Sequence, residues 1–393
     1  MLRRLAILLT AFLFTTAAPA AVRLGVDVLQ EQGFAPLAGK RVGLVTNQTG
    51  VNSAGTKTRL LLKKNVQLVA LYSPEHGIDG TVGAGKYVAT RKDSATGLVV
   101  HSLYGPTRKP TAEMLAGVEV LVYDMQDIGV RSYTYISTMA KCMEACGERG
   151  IEFVVLDRPN PLGGQRVEGP GIEEKWRSFV GIFPTPYLHG MTAGELAQMA
   201  NARGWAGARC KLTVVPMRGW SRDMMWENTG LRWVQTSPNI PRASSVPYYA
   251  ATSIYGSLDG SGFDVGIGTD VPFQMAGLCN CNGPAFASAV RAAGISAAPY
   301  TRAEAAGARL TLSGTSDVNL AAVNIHLLAA AQHQRTSSIF ARYHDADGIF
   351  WKVYGSQNIA TQIAKGVSPA SIIASWQPIA ERFKSARQAF LLY

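Results

Sequence analysis

Cysteine is scarce in this chain, five residues among 393. An odd count leaves at least one thiol unpaired, and spacing alone fixes no connectivity. Cys142 and Cys146 stand one helical turn apart, and Cys279 and Cys281 share a Gly/Asn-rich stretch. None falls in a Cys-x-x-Cys or Cys/His pattern of metal-ligand spacing, so no metal site is expected. Charge is also sparse, 17% of residues, with a formal excess of +11. There is no compact Lys/Arg run and no basic–aromatic ribbon, which argues against nucleic acid. The excess suits anionic partners such as cell-wall polymers, or serves solubility alone.

Long apolar runs are missing beyond the first residues. Residues 1–21 begin with Arg3-Arg4, continue through apolar Leu5 to Phe14 and end in Ala18-Pro19-Ala20. That is the order of a cleaved secretory signal, too short to span a bilayer comfortably. The mature chain is therefore expected to be exported, periplasmic or secreted, without stable membrane insertion after cleavage. Export permits a disulfide. Nothing in the pattern specifies an oligomer.

Two familiar fingerprints are absent. Gly80-Thr81-Val82-Gly83-Ala84-Gly85 lacks the G-x-G-x-x-G spacing and the strand-to-helix context of a dinucleotide loop, so no nucleotide cofactor is expected. Gly260-Ser261-Gly262 lacks the setting of a nucleophile elbow, which weighs against an esterase-type hydrolase.

What is present is a repeated unit. Val42 to Val45, Val66 to Tyr72, Val118 to Tyr123 and Ile151 to Leu156 each end in a polar cluster. Helical patterning separates them, at Thr56–Lys64, Pro110–Gly117 and Tyr133–Glu148, so the runs predict strands of a Rossmann-like parallel sheet. Ligands bind outside the carboxyl ends of such strands. Thr192-Ala193-Gly194-Glu195 is a capping box, which gives Glu195 a structural task. The pattern predicts a Rossmann-like domain over 22–205 and a smaller α/β domain over 206–393 closing a cleft. The second holds a strand at Leu212–Pro216, a glycine-rich loop over Tyr255–Thr269, an alternating segment near Arg309–Leu312, an Ala-rich helix at Leu320–Gln334 and a terminal helix.

Several residues at the strand ends are candidates for chemistry. In Ser73-Pro74-Glu75-His76-Gly77, Pro74 and Gly77 hold Glu75 and His76 in set directions, and a shielded carboxyl there suits a general acid. The plainer alternative pairs Glu75 with Arg131 or Arg158 and leaves His76 an ordinary turn residue. In Asp124-Met125-Gln126-Asp127, Asp124 suits the turn's own N–H groups and Asp127 is better placed to reach a ligand. Arg131 suits a bidentate grip on a carboxylate or, equally, an ion pair to Asp127. Arg158 and Asn160, held by Pro159 and Pro161, suit sugar or carboxylate recognition. Glu168, between turn residues, is a further carboxyl.

Together these stretches resemble the NamZ-type exo-β-N-acetylmuramidase family, once known only as a domain of unknown function. The resemblance is carried by Gly43 to Gly50, Ser73 to Gly77, Asp124 to Arg131 with Tyr133-Thr134-Tyr135, and Leu156 to Gly164. Val167 to Pro170, His189 to Thr192 and Ser237 to Pro241 extend it over nearly the whole mature chain. It implies an active site between the two domains, release of N-acetylmuramic acid from the non-reducing end of peptidoglycan fragments or muropeptides, and no cofactor. Glu75, His76, Asp127 and Glu168 are then the catalytic candidates. Asn47, Arg131, Tyr133, Arg158, Asn160, His189 and Asn239 are the substrate-binding candidates, with Arg131 or Arg158 holding the lactyl carboxylate. One departure stands out. The family usually carries an acidic residue and an arginine in a Ser-Glu-Gly-Arg-Gly-Thr-like loop, whereas this chain reads Asp264 to Thr269 without either at the matching place; Asp259 and Asp264 are candidate substitutes. That loss keeps open a non-catalytic exported binding protein for muropeptides or acidic sugars.

Overall fold

The computed structural model describes residues 21–258, 262–312, 318–341 and 348–393; the leader predicted over residues 1–21 lies almost wholly outside them, as do Asp259, Gly260 and Ser261. In the first domain, β1 (Arg41–Thr46), β2 (Gln67–Ser73), β3 (Arg91–Lys92), β4 (Val99–Ser102), β5 (Val120–Asp124), β6 (Glu152–Leu156) and β7 (Lys211–Val215) form one sheet. Their order is β3-β4-β2-β1-β5-β6-β7, parallel except for the short edge strand β3.

Burial on both faces explains the near-continuous apolar runs of the central strands. Alternate residues serve different cores. Val42 and Leu44 of β1 and Val120 and Val122 of β5 join Leu29 and Leu62, from α1 (Gly25–Glu31) and α2 (Thr58–Asn65). Val45, Leu121 and Tyr123 face the other way, onto Met139 and Met143 of α3 (Tyr135–Arg149) and Leu196 of α4 (Ala193–Arg203). The capping box forms as predicted: Thr192 Oγ1 accepts from Glu195 N and Glu195 Oε2 from Thr192 N.

The sequence places the domain boundary too early. Strand β7 completes the large sheet by pairing with β6, so the first domain runs well past residue 205. The second begins with α5 (Ser245–Gly256), followed by β8 (Phe263–Asp264), β9 (Met275–Cys279), α6 (Gly283–Ala292), β10 (Ala297–Arg302), β11 (Ala305–Leu310) and α7 (Leu320–His333). Its antiparallel sheet has the order β10-β11-β9-β8, and among the described residues four helices follow, at Ile349–Tyr354, Asn358–Ala364, Pro369–Ala374 and Gln377–Arg387. Helix α5 escapes sequence reading because it is buried nearly all round, with no polar stripe to set a period of 3.6. It also claims the start of the glycine-rich stretch expected as loop. Residues 110–117 form turns rather than a helix. All five cysteines are free, and among the described residues no helix is long and apolar enough to cross a membrane.

Arg131 joins the two domains. Its side chain is fully buried, and its hydrogen bonds go to backbone carbonyls rather than to Asp127. Nη1 donates to Pro170 O and Thr185 O, each at 2.7 Å, and Nη2 to Val353 O at 3.0 Å and Tyr354 O at 2.9 Å. The first pair of carbonyls belongs to the first domain and the second pair to the second domain. Five donors in a rigid fork suit four convergent carbonyls as no other side chain does. Burial lowers its pKa only to about 10, so the charge persists at neutral pH. Replacing it with Leu would leave four carbonyls unpaired and lower stability by about 3–5 kcal/mol. Denaturant unfolding checks this, and a loss below about 1 kcal/mol, the size of a single ordinary hydrogen bond, would contradict the stapling role.

Candidate active site

The chain moves outward from β1 to β2 and β4, then returns to the other side of β1 with β5, β6 and β7. The reversal between β1 and β5 is the crevice where open α/β sheets hold ligands. Asn47, Gln48 and Thr49 follow β1 there, and Gln126 and Asp127 follow β5.

The turn after β2 carries the sharpest geometry. His76 has φ 70°, in the left-handed region that side chains rarely occupy. Its Nδ1 lies 2.7 Å from Val82 O. A carbonyl only accepts, so Nδ1 carries hydrogen, which in the neutral form of the ring puts the lone pair on Nε2. The same loop returns Gly85 N to within 2.7 Å of Glu75 Oε1, while Oε2 accepts from Thr134 Oγ1 at 2.6 Å. Glu75 is thus held between its own loop and the entry to α3, not paired with an arginine.

Aromatic rings surround it. Tyr104, half-buried just beyond β4, has its phenol pushed up to about 12, first by burial and then by the neighbouring Glu75. Burial also raises Tyr135 and Tyr249, with Glu75 contributing. Tyr133 meets Tyr135 edge-on at 4.9 Å and Tyr249 at 5.8 Å. Tyr249 comes from α5 in the second domain and its hydroxyl reaches Ser132 Oγ at 3.2 Å. Both domains therefore border the Glu75 carboxylate.

Loop closure behind the site depends on a missing side chain. A Cβ at Gly80 would lie 2.1 Å from Gln48 Cδ. Gln48 Nε2 in turn donates to Gln235 O at 2.8 Å and Thr236 O at 3.0 Å. Asn47 Oδ1 accepts from Thr49 N and Oγ1, and its Nδ2 has no partner among the described residues.

Asp127 is buried beside this edge. Its Oδ2 accepts from Gly129 N at 2.7 Å, and its Oδ1 has no partner among the described residues. Burial pushes its carboxyl up to about 7, against the lowering effect of the Gly129 and Ile128 N–H groups. It borders a slot of about 10 Å³ with Asn160, Arg158 and Thr192, room for one water. Burial raises the Tyr133 and Tyr135 phenols, and the nearby carboxylates of Asp127 and Glu75 respectively add to that rise.

Other candidates hold the edge together instead of facing a ligand. Arg158 directs Nε to Asp124 Oδ1 at 2.6 Å and Nη2 to Val51 O at 2.8 Å, so it is no free clamp and Asp124 does not serve its own turn. Asn160 accepts from Leu162 N and donates to Met191 O, folding its own loop. Glu168 is removed from the catalytic set: it pairs with Arg166 at 2.7 Å and accepts from Ala321 N at the start of α7. Asp264 is committed to Tyr300, Arg302 and Gly266 N, so it substitutes for nothing at the site. His189 Nδ1 accepts from Met191 N. Burial, with Arg387 and Arg131 nearby, lowers its pKa to about 3. It is therefore a neutral ring with Nε2–H unpartnered among the described residues. Asn239 is half-buried.

Sequence reading missed Thr134, Tyr104, Tyr249 and Arg108. The exposed Arg108 guanidinium lies over the Tyr104 ring at 4.5 Å and the Phe179 ring at 4.3 Å. No carboxylate pairs with it among the described residues. Among those residues there is also no cluster of three side chains able to hold a metal.

A fixed carboxyl, an imidazole held through Nδ1 and an aromatic wall meet at the edge of a Rossmann-like sheet, an arrangement equipped for acid–base hydrolysis. Residues 42–244 match the N-terminal domain model of exo-β-N-acetylmuramidase NamZ and residues 248–393 its C-terminal domain model. The chain belongs to this family. It is 38% identical over 392 residues, 96% of its length and 93% of the relative's, to the peptidoglycan β-N-acetylmuramidase NamZ of Bacillus subtilis. It is similar to the crystal structure of a DUF1343 family protein of Bacteroides fragilis, with TM-score 0.87 and 38% identity across 95% of this chain and 99% of that one. A second such protein of that organism matches at TM-score 0.77 and 29% identity, with the same shares of the two chains covered.

Asp127 makes folding pH-dependent. Its folded pKa is raised to about 7, so the stability it contributes is present below the unfolded carboxyl pKa and lost as pH rises through 7. Asp127→Asn should therefore gain on the order of 2–4 kcal/mol relative to wild type between pH 4 and pH 8. Denaturant unfolding across that range checks it, and parallel curves for the two proteins would refute the buried, raised carboxyl.

Proposed function

We propose that this protein is an exported exo-acting glycoside hydrolase that releases N-acetylmuramic acid from the non-reducing end of peptidoglycan fragments. One observation carries the catalytic assignment: the Glu75 carboxyl is held by Gly85 N–H and Thr134 O–H at a junction lined by both domains. Departure of a sugar needs a proton on the leaving oxygen, and Glu75 is the donor. His76 stands beside it with an Nε2 lone pair for proton exchange. Asp127 is the second carboxyl, and its one-water slot suits activation of water better than direct attack on the sugar. Asn47, through its unpartnered Nδ2, and the half-buried Asn239 contribute polar recognition.

With Arg131 and Arg158 engaged elsewhere, the cation for the lactyl carboxylate is Arg108. Stacking between Tyr104 and Phe179 fixes its guanidinium one ring away from Glu75. Export rests on the order of charged, apolar and small residues at the start of the chain.

Two variants test these assignments with a chromogenic N-acetylmuramic acid β-glycoside. Glu75→Gln should lower turnover by about 10²–10⁴-fold while the folding transition is retained. Near-normal turnover would remove Glu75 from the mechanism, and saturable binding without release by the wild type would favour a binding protein instead. Arg108→Gln should raise KM about tenfold, the equivalent of one charge-assisted contact, with kcat changed far less. An unchanged KM would place the carboxylate elsewhere.

A further inference from the structure

A cavity at the sheet's carboxyl edge is lined by residues other than Glu75. A cavity of about 370 Å³ opens between the loop after β1, the residues following β5 and β6, and the segment Trp226–Gln235. The bonds from Gln48 to Gln235 O and Thr236 O separate it from the Glu75 loop. Its volume is at the lower end of small-molecule sites.

Its chemistry is selective. Trp226 and Trp233 border it with their rings edge to face at 4.8 Å. Gln126, 3% exposed, lines it and leaves Oε1 unpartnered among the described residues. Arg158, 4% exposed, also lines it, with Nε held by Asp124 and Nη2 by Val51 O. Arg232 stands exposed on the same wall. No Asp or Glu lines the cavity. Indole faces take the C–H face of a sugar, a buried amide takes hydroxyl or acetamide groups, and an acid-free wall with Arg232 favours an anion.

We infer that this cavity is a second saccharide site for a carboxylate-bearing amino sugar, separate from the site of bond cleavage. The choice of an amino sugar acid rests on the proposed function; the separate, anion-preferring site rests on the lining alone. The carboxylate has two possible sources, the lactyl group of a free muramic acid or the peptide attached to it.

The test uses the full chain carrying Glu75→Gln, titrated calorimetrically with N-acetylmuramic acid, N-acetylmuramoyl dipeptide and N-acetylglucosamine. The inference expects a carboxylated probe to occupy a site that Arg232→Gln weakens at least about fivefold, and N-acetylglucosamine to bind that site less well. Sensitivity with N-acetylmuramic acid identifies the lactyl carboxylate, and sensitivity with the dipeptide alone identifies the stem. Trp233→Ala should weaken the same site, whereas Arg232→Gln should leave turnover of the chromogenic glycoside by the otherwise wild-type chain unchanged. The inference is overturned if no probe shows an Arg232-sensitive site, or if N-acetylglucosamine binds it as tightly as the acids. Wild-type turnover of the chromogenic glycoside reports on the proposed function independently.

Discussion

Everything at the catalytic edge depends on where Arg131 puts its two nitrogens. By donating to Pro170, Thr185, Val353 and Tyr354 carbonyls it fixes the second domain against the first. It also fixes its own backbone, whose N–H donates to Tyr187 O at 2.8 Å. The three residues after it are the site's aromatic and polar wall. Ser132 reaches Tyr187 and Tyr249, Tyr133 packs on Tyr135 and Tyr249, and Thr134 donates to Glu75. A buried cation surrounded by carbonyl dipoles in place of a carboxylate keeps its charge and is stabilised by four fixed hydrogen bonds. The domain junction and the placement of the Glu75 carboxyl are therefore linked through one segment, with the Arg131 side chain at its start and Thr134 at its end.

The polar clusters at the strand ends serve two purposes that look alike in sequence. Asp157 accepts from Thr192 Oγ1, Gly194 N, Arg158 N and Tyr393 OH, which ties β6, the start of α4 and the final residue into one knot. Asp124 and Arg158 brace each other next to it. Asp124 is offset by a paired cation, whereas Asp157 relies on hydrogen bonds alone, and burial pushes its carboxyl up to about 6. Asp127 Oδ1 and Asn47 Nδ2, by contrast, have no partner among the described residues.

The strands, the parallel sheet, the capping box and the turn at Ser73–Gly77 were legible because each is a local signal, an apolar run ended by turn residues or a fixed cap spacing. Arg131 was not. Asp127 four residues earlier suggested a local ion pair, whereas the actual partners lie as far away in sequence as Tyr354. Glu168 misled for the opposite reason, since its role as a cap for α7 appears only once the domains meet. Arg108 and Tyr104 follow a four-residue strand too short to mark a strand end. Strand β7 was seen, but pairing order is a long-range property and its membership of the large sheet was not.

The conformation of His76 shows how chemistry overrode a local preference in this turn. A left-handed residue at that place favours glycine, and a side chain there costs on the order of 1 kcal/mol. Glycine does stand next, at Gly77 with φ 77°, and again at Gly80 and Gly85 with φ 70°. The loop thus uses glycine wherever a side chain is dispensable, and at Gly80 where Gln48 forbids one. An imidazole at position 76 instead, held by its own bond to Val82 O, fixes the ring tautomer and curls the loop so that Gly85 N–H reaches Glu75. Strain, tautomer and acid placement are then one arrangement. Relaxing the backbone at 76 would release all three together.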